Sequence, residues 1–194
     1  MLNIKINESN FIPGLSLQTE LSFPETGIAL ISGENGIGKS TLCSFLYHEN
    51  LLPSDIIWSE AQQFRSIYPV TVESVLSVYK KNASHLNEER FEKLSKLFNI
   101  ASFMDRTWNE LSSGQGQMLK LLMGLSLKAR TYLLDEPAHF LDQIKLNGLS
   151  EVMVEISKDS LVVLIDHRID WLKENPAVHL KMLVCDKNLI LEKQ

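Results

Sequence analysis

Residues 33 to 40 read Gly33-Glu34-Asn35-Gly36-Ile37-Gly38-Lys39-Ser40, which satisfies the pattern G-x-x-x-x-G-K-[ST]. An apolar run, Ile28-Ala29-Leu30-Ile31, precedes it, and an amphipathic helical stretch beginning Thr41-Leu42-Cys43 follows. The run suits a strand buried on both faces, so strand, glycine loop and helix stand in the order a phosphate cradle requires. Glycines let the backbone fold tightly enough for successive N–H groups to turn inward on an anion, and the helix N-terminus adds the positive end of its dipole. Lys39 brings a full charge to the β- and γ-phosphates, and the Ser40 hydroxyl can ligate Mg²⁺.

On the N-terminal side of this loop the chain is strand-like. Leu2-Asn3-Ile4-Lys5-Ile6, Leu15-Ser16-Leu17-Gln18 and Leu21-Ser22-Phe23 alternate apolar and polar residues, and Pro24-Glu25-Thr26-Gly27 reads as a turn. From Thr71 to about Glu110 the period changes. Val72, Val75, Leu76 and Tyr79 fall at helical spacing, as do Phe91, Leu94, Leu97 and Phe98, with Asn87-Glu88-Glu89 as cap and acidic first turn. The last third alternates again. A helix over 117–128 precedes the strand Thr131-Tyr132-Leu133-Leu134, and a helix over 143–157 precedes the strand Leu161-Val162-Val163-Leu164-Ile165. A hairpin through Asp186-Lys187-Asn188 closes the chain. These alternations predict an α/β fold: a mainly parallel sheet with right-handed crossovers, preceded by an antiparallel β portion and interrupted by an all-helical insertion.

Composition excludes several classes. At 194 residues, with 44% apolar and 22% charged residues, the chain can bury one real core, with room for one inserted subdomain. The 19 basic against 24 acidic residues give a net charge of −5, which argues against a nucleic-acid binder working by phosphate neutralisation. No apolar run approaches the roughly 18 residues of a membrane helix, and the start MLNIKINESN lacks a signal-peptide layout, so a cytosolic protein with no membrane insertion is expected. Cys43 and Cys185 lack disulfide or zinc spacing and read as small buried residues.

Downstream, the strand Tyr132-Leu133-Leu134 runs into Asp135-Glu136-Pro137. Alternation at the strand end lets Asp135 face a metal ion while Glu136 addresses a nucleophilic water as general base. Taken alone this is weak, because a solvated loop start looks the same; with the phosphate loop upstream it becomes strong. Leu111-Ser112-Ser113-Gly114-Gln115-Gly116-Gln117 carries two readings. Ser112 and Gln115 have the spacing of a capping box, which marks an ordinary helix start, and a hydroxyl with exposed N–H groups at a helix N-terminus is also a second anion site.

The order and spacing of these segments resemble the ABC ATPase family, the nucleotide-binding domains that drive ABC transporters, over nearly the whole chain. Gly33, Glu34, Asn35, Gly36, Ile37, Gly38, Lys39, Ser40 and Thr41 are similar to its Walker A loop. Leu111 to Gln115 resembles its LSGGQ signature, with Ser113 replacing one glycine, so that Ser112, Ser113, Gly114 and Gln115 are implied nucleotide contacts. Asp135 and Glu136 match its Walker B aspartate and catalytic glutamate. Ala138-His139-Phe140-Leu141-Asp142 stands at its D-loop; Leu141 and Asp142 agree with the pattern, while His139 and Phe140 depart from it. His167 fits the switch histidine that contacts the γ-phosphate. Gln62 and Gln63 both lie where the Q-loop glutamine belongs, with Gln63 preferred as the residue that reaches Mg²⁺ and the attacking water. Phe11 is the candidate adenine-stacking ring, with a core role as the equal alternative. Met118 departs from the basic residue usual after the signature.

The resemblance implies a P-loop NTPase fold in a single domain over 1–194. A RecA-like core covers about 1–63 and 118–194, and a helical subdomain covers about 64–117. The cofactors implied are ATP and Mg²⁺. The expected partners are a second ABC ATPase subunit, closing head to tail around two ATP molecules, and an integral-membrane permease that holds the protein at the inner face of a membrane. Phe64, Ile67, Tyr68, Val70 and Val72 are expected either to line the groove for the permease's coupling helix or to pack the insertion on the core. A soluble ATPase that remodels a cytosolic complex is the competing class, and a nucleotide-dependent dimerisation module with weak hydrolysis is the third. The chain ends soon after the strand pair following His167, so no C-terminal regulatory domain is expected.

Overall fold

The computed structural model describes residues 2–6, 16–17, 19–48, 52, 55–59, 69–166, 170–173, 176–185 and 188–193. The strands are β1 Leu2–Ile6, β2 Ser16–Leu17, β3 Thr19–Phe23, β4 Gly27–Gly33, β5 Ile56–Ser59, β6 Thr131–Asp135, β7 Leu161–Ile165, β8 Val178–Cys185 and β9 Asn188–Lys193. The helices are α1 Lys39–His48, α2 Val72–Asn82, α3 Glu88–Leu97, α4 Ser113–Leu125 and α5 Gln143–Ser157. Two 3-10 turns, Ile100–Phe103 and Trp108–Glu110, join α3 to α4.

β1 and β3 form an antiparallel pair. The main sheet has seven strands in the order β2-β9-β8-β4-β7-β6-β5. β8, β4, β7, β6 and β5 run parallel, and only the β8–β9 hairpin is antiparallel. Sequence pattern anticipates this mixture but not that β2 pairs parallel to β9, a contact between the two ends of the chain.

Alternation within β4 divides the interior. Ala29 and Ile31 pack with Leu42, Cys43 and Leu46 of α1 on one face. Ile28 and Leu30 pack on the other with Leu121 and Leu122 of α4 and Leu149 and Val152 of α5. A strand with helices on both faces needs apolar residues at every position, which is why β4, β6 and β7 read as unbroken apolar runs.

The helical insertion is built from capped, amphipathic pieces. The Thr71 side chain accepts from the Ser74 amide (3.3 Å) at the start of α2, and Asn87 accepts from Arg90 N (3.0 Å) at the start of α3. Phe91 and Leu94 carry α3 into the same core as α4 and α5. Arg90 fastens the insertion: its Nη1 donates to the carbonyl oxygens of Leu125 (3.0 Å) and Leu127 (3.4 Å) and to the Tyr132 hydroxyl (3.3 Å). That hydroxyl in turn donates to Leu127 O at 2.6 Å.

Two helices start earlier than periodicity indicates. α1 begins at Lys39 instead of Thr41, and α4 spans Ser113–Leu125 instead of 117–128. Polar residues open α1 (Lys39-Ser40-Thr41), and polar residues and glycines open α4 (Ser113-Gly114-Gln115-Gly116), so no apolar stripe marks either first turn, whose N–H groups lack partners within the helix. No helix among the described residues is long and apolar enough to cross a membrane. Cys43 is buried, as expected; the side chain of Cys185 lies outside the described residues.

Candidate nucleotide site

Strand pairing sets the geometry. Ile31 of β4 is opposite Ile165 of β7, and Ile165 is opposite Asp135 of β6. The glycine loop leaving β4 and the carboxylates leaving β6 therefore stand at one end of the sheet, the C-terminal ends of its parallel strands, with a single strand between them, about 10 Å from strand to strand.

The loop is tight at its base and open at its crown. Gly33 has φ +155°, and a Cβ there would lie 2.8 Å from the Met182 carbonyl oxygen, so only glycine fits. Glu34, Asn35 and Gly36 are exposed, and Gly38 (φ +105°) turns the chain into α1. Lys39 is only 6% exposed. Its ammonium donates to the carbonyl oxygens of Gly33 (3.0 Å) and Glu34 (2.9 Å), which holds the charge within the curl of the loop. Ser40 and Thr41 follow in the exposed first turn of α1.

Asp135 ends a fully buried strand and is itself 5% exposed. A serine hydroxyl and a carboxylate are hard oxygen donors of the kind Mg²⁺ takes alongside phosphate oxygens and water, so Ser40 and Asp135 fit that ion. The third residue predicted to reach the metal, Gln63, lies outside the described residues, as do Gln62, Phe11 and His167.

Glu136 is half-buried and lies just past β6 with φ +46°. Its amide donates to Ile165 O (2.8 Å), and its carbonyl accepts from His139 N (3.1 Å). Its direction is thus set by a left-handed turn, not by the strand alternation the sequence suggested. Farther along, His139 stacks on Phe140 with ring centroids 3.9 Å apart, and Phe140 is 56% exposed with φ +67°. The Asp142 side chain caps α5, accepting from Lys145 N (3.0 Å) and pairing with the Lys145 ammonium. Those contacts, the side-chain one first, hold its carboxyl below the usual carboxylate range.

At the second predicted anion site the capping box is present. Ser112 Oγ accepts from Gln115 N (3.2 Å), and Gln115 Oε1 accepts from Ser112 N (3.0 Å). Ser113, Gly114 and Gln115 are the first three residues of α4, so the segment is a capped helix N-terminus beside the loop after β6. Gly114 touches that loop at Phe140. Met118 is partly buried, its apolar side chain packed against the main core.

Two features escape sequence reasoning. Asp166, buried at the end of β7, donates its amide to Ile31 O (3.4 Å) between the loop strand and the carboxylate strand. Ser32 and His179, separated by 147 residues, are hydrogen-bonded (Oγ to Nε2, 2.6 Å) directly below the phosphate loop. A serine before a glycine loop and a histidine in a late strand give no spacing signal that would join them.

Such a loop and carboxylate pair, astride one strand of a mainly parallel sheet, define the class of P-loop nucleotide-binding proteins. Within that class, the family model described as ABC transporter matches residues 17–139, well over half of the chain, and the chain belongs to this family. It is 28% identical over 198 residues to the phosphate import ATP-binding protein PstB 2 of Shouchella clausii, covering 86% of this chain and 72% of that protein. It is 30% identical over 120 residues to the translation initiation factor rli1 of Schizosaccharomyces pombe, covering 62% of this chain and 20% of that protein. Of two other curated relatives the chain spans 20% and 43% of the length. Among solved structures, an ATP-binding subunit of an ABC transporter superposes with a TM-score of 0.73 at 17% identity, over 96% of this chain and 87% of that one, a likeness of fold.

Proposed function

We propose that this chain binds and hydrolyses ATP as the motor subunit of a transporter, closing with a second ATPase subunit around two ATP molecules to drive a separate membrane permease. The observation that carries the reading is that the Lys39 loop and the Asp135-Glu136 strand end leave the same end of the parallel sheet. There the loop residues 33–41 wrap the phosphates, and Lys39 neutralises the β- and γ-oxygens as charge develops. Ser40, Asp135 and Gln63 would hold Mg²⁺, which supplies Lewis-acid neutralisation of the phosphate oxygens. Glu136 takes the proton of the attacking water, and His167 contacts the γ-phosphate. Phe11 stacks on adenine, and Asp142 belongs to the same nucleotide-contacting set.

The capped N-terminus at Ser112 to Gln115 serves the nucleotide of the partner subunit, so each site is completed only in the dimer. ATP then holds two subunits together, and hydrolysis releases them, a switch driven by contacts that exist only with the γ-phosphate.

A groove of about 710 Å³ between β5 and α2 supports the permease part. Ile57, Val70, Val75, Val78, Tyr79 and Met123 line it, and Val78 is 61% exposed. Such a surface suits a short amphipathic helix laid in by its apolar face. Val70 is among the residues that line this groove, whereas Val72 is wholly buried and packs the insertion on the core, the other role expected for this set; Phe64, Ile67 and Tyr68 lie outside the described residues.

Affinity purification from detergent-solubilised membranes tests this reading. Recovery of a multi-span membrane protein is expected. Recovery of soluble partners alone would instead favour an ATPase that remodels a cytosolic complex.

A further inference from the structure

We propose that His179, through its hydrogen bond to Ser32, is a positioning residue that sets the base of the phosphate loop and hence the place of the Lys39 ammonium. The proposal rests on the reading of residues 33–41 as the ATP phosphate site. Its ground is an asymmetry in how β4 is held. On the β7 side, strand pairing ends at Ile31 opposite Ile165. On the β8 side it continues through Ser32 opposite Lys181 to Gly33 opposite Met182. Among the described residues, the last two positions before the loop are therefore paired from β8 alone.

Two contacts fix them there. Gly33 sits so close to β8 that an added Cβ would meet Met182 O at 2.8 Å and Met182 Cβ at 3.2 Å. Ser32, which shares a sheet face with Leu30, His179 and Lys181, bonds across the strands to His179 Nε2 at 2.6 Å. From Gly33 the connection runs on to the reactive end of the loop, because the Gly33 carbonyl oxygen accepts from Lys39 Nζ at 3.0 Å. The line His179, Ser32, Gly33, Lys39 thus links a residue late in the chain to the charge that meets the β- and γ-phosphates. Burial, and then the neighbouring Lys181, push the His179 imidazole below its usual range. The ring is therefore neutral at ordinary pH and can serve the serine in either role.

The line reaches the β- and γ-phosphates and not the nucleoside, and that difference supplies a test. Binding of ATP and of AMP is measured by competition against a fluorescent ATP analogue for the wild type, Ser32→Ala, His179→Leu, the double variant, His179→Gln and Lys39→Ala. One hydrogen bond lost from such a line should weaken ATP binding by about threefold to tenfold in each single variant. The double variant should be no weaker than the worse single one, because both remove the same bond. His179→Gln, which keeps a nitrogen near the Nε2 position, should restore ATP affinity to within about twofold of wild type. AMP affinity should stay constant throughout. A merely structural role would weaken ATP and AMP together, and that result overturns the proposal. So does unchanged ATP affinity in Ser32→Ala and His179→Leu while Lys39→Ala loses ATP. If Lys39→Ala itself binds ATP like the wild type, the phosphate-loop reading fails first and the proposal falls with it.

Discussion

Gly114, in the first turn of α4, and Phe140, in the loop after β6, pack so closely that a Cβ on the glycine would lie 3.4 Å from both the Cβ and the carbonyl oxygen of the phenylalanine. The capped N-terminus of α4 is thereby tied to the loop that follows Asp135 and Glu136. The spacing is an ordinary van der Waals contact, so an alanine fits, and alanine is the better helix former. Gly114→Ala should therefore keep its melting temperature to within about 3 °C of wild type. Its ATPase rate should fall by about tenfold or more, because on the proposed reading a phosphate of the partner's nucleotide approaches this helix N-terminus and the added methyl group narrows that approach. Thermal melts and steady-state turnover on one preparation check both halves.

Arg90 anchors the helical insertion through one nearly buried guanidinium, 11% exposed at the side chain, whose acceptors are the Leu125 and Leu127 carbonyls and the Tyr132 hydroxyl. Its other pairing, with Glu155 at 3.9 Å, is long. Arg90→Ala removes the donor these acceptors share, leaving Leu127 O only its bond from Tyr132, and should cost about 2–3 kcal/mol in urea unfolding. Tyr132→Phe should cost about 1 kcal/mol, and the two losses should fall short of additive because the groups share a network.

Asp142 contributes acid-sensitive stability. Its carboxyl is held below the ordinary range by the Lys145 side chain and then the Lys145 amide, so its contribution is complete above the unfolded value of about 3.9 and fades as pH falls through the lower folded value. Asn caps a helix as well as Asp does, yet carries no charge to lose. Melting temperature followed from pH 7 downward should show Asp142→Asn less stable than wild type at pH 7, with the gap closing below about pH 4.

How much of this was legible in the sequence depends on the range of each contact. The phosphate loop, the caps at Asn87 and Ser112 and the buried strands were readable because glycine conformation, side-chain capping and unbroken apolar runs act within a few residues. The early starts of α1 and α4 were not, since polar first turns carry no apolar stripe. The left-handed turn at Glu136 was hidden for another reason. Strand alternation predicts a direction only while the strand continues, and here the chain turns one residue past β6. Ser32 with His179, Gly114 with Phe140, and the parallel pairing of β2 with β9 join distant segments through sheet order, which no local pattern encodes.

On the proposed reading, ATP closes two subunits over sites that Glu136 then fires. Size-exclusion chromatography with light scattering on Glu136→Gln, run with and without Mg-ATP, tests it most directly. The account predicts monomers without nucleotide, dimers with Mg-ATP and turnover lowered by about a hundredfold or more. A Glu136→Gln protein that binds ATP yet stays monomeric, or that hydrolyses it at the wild-type rate, would contradict it.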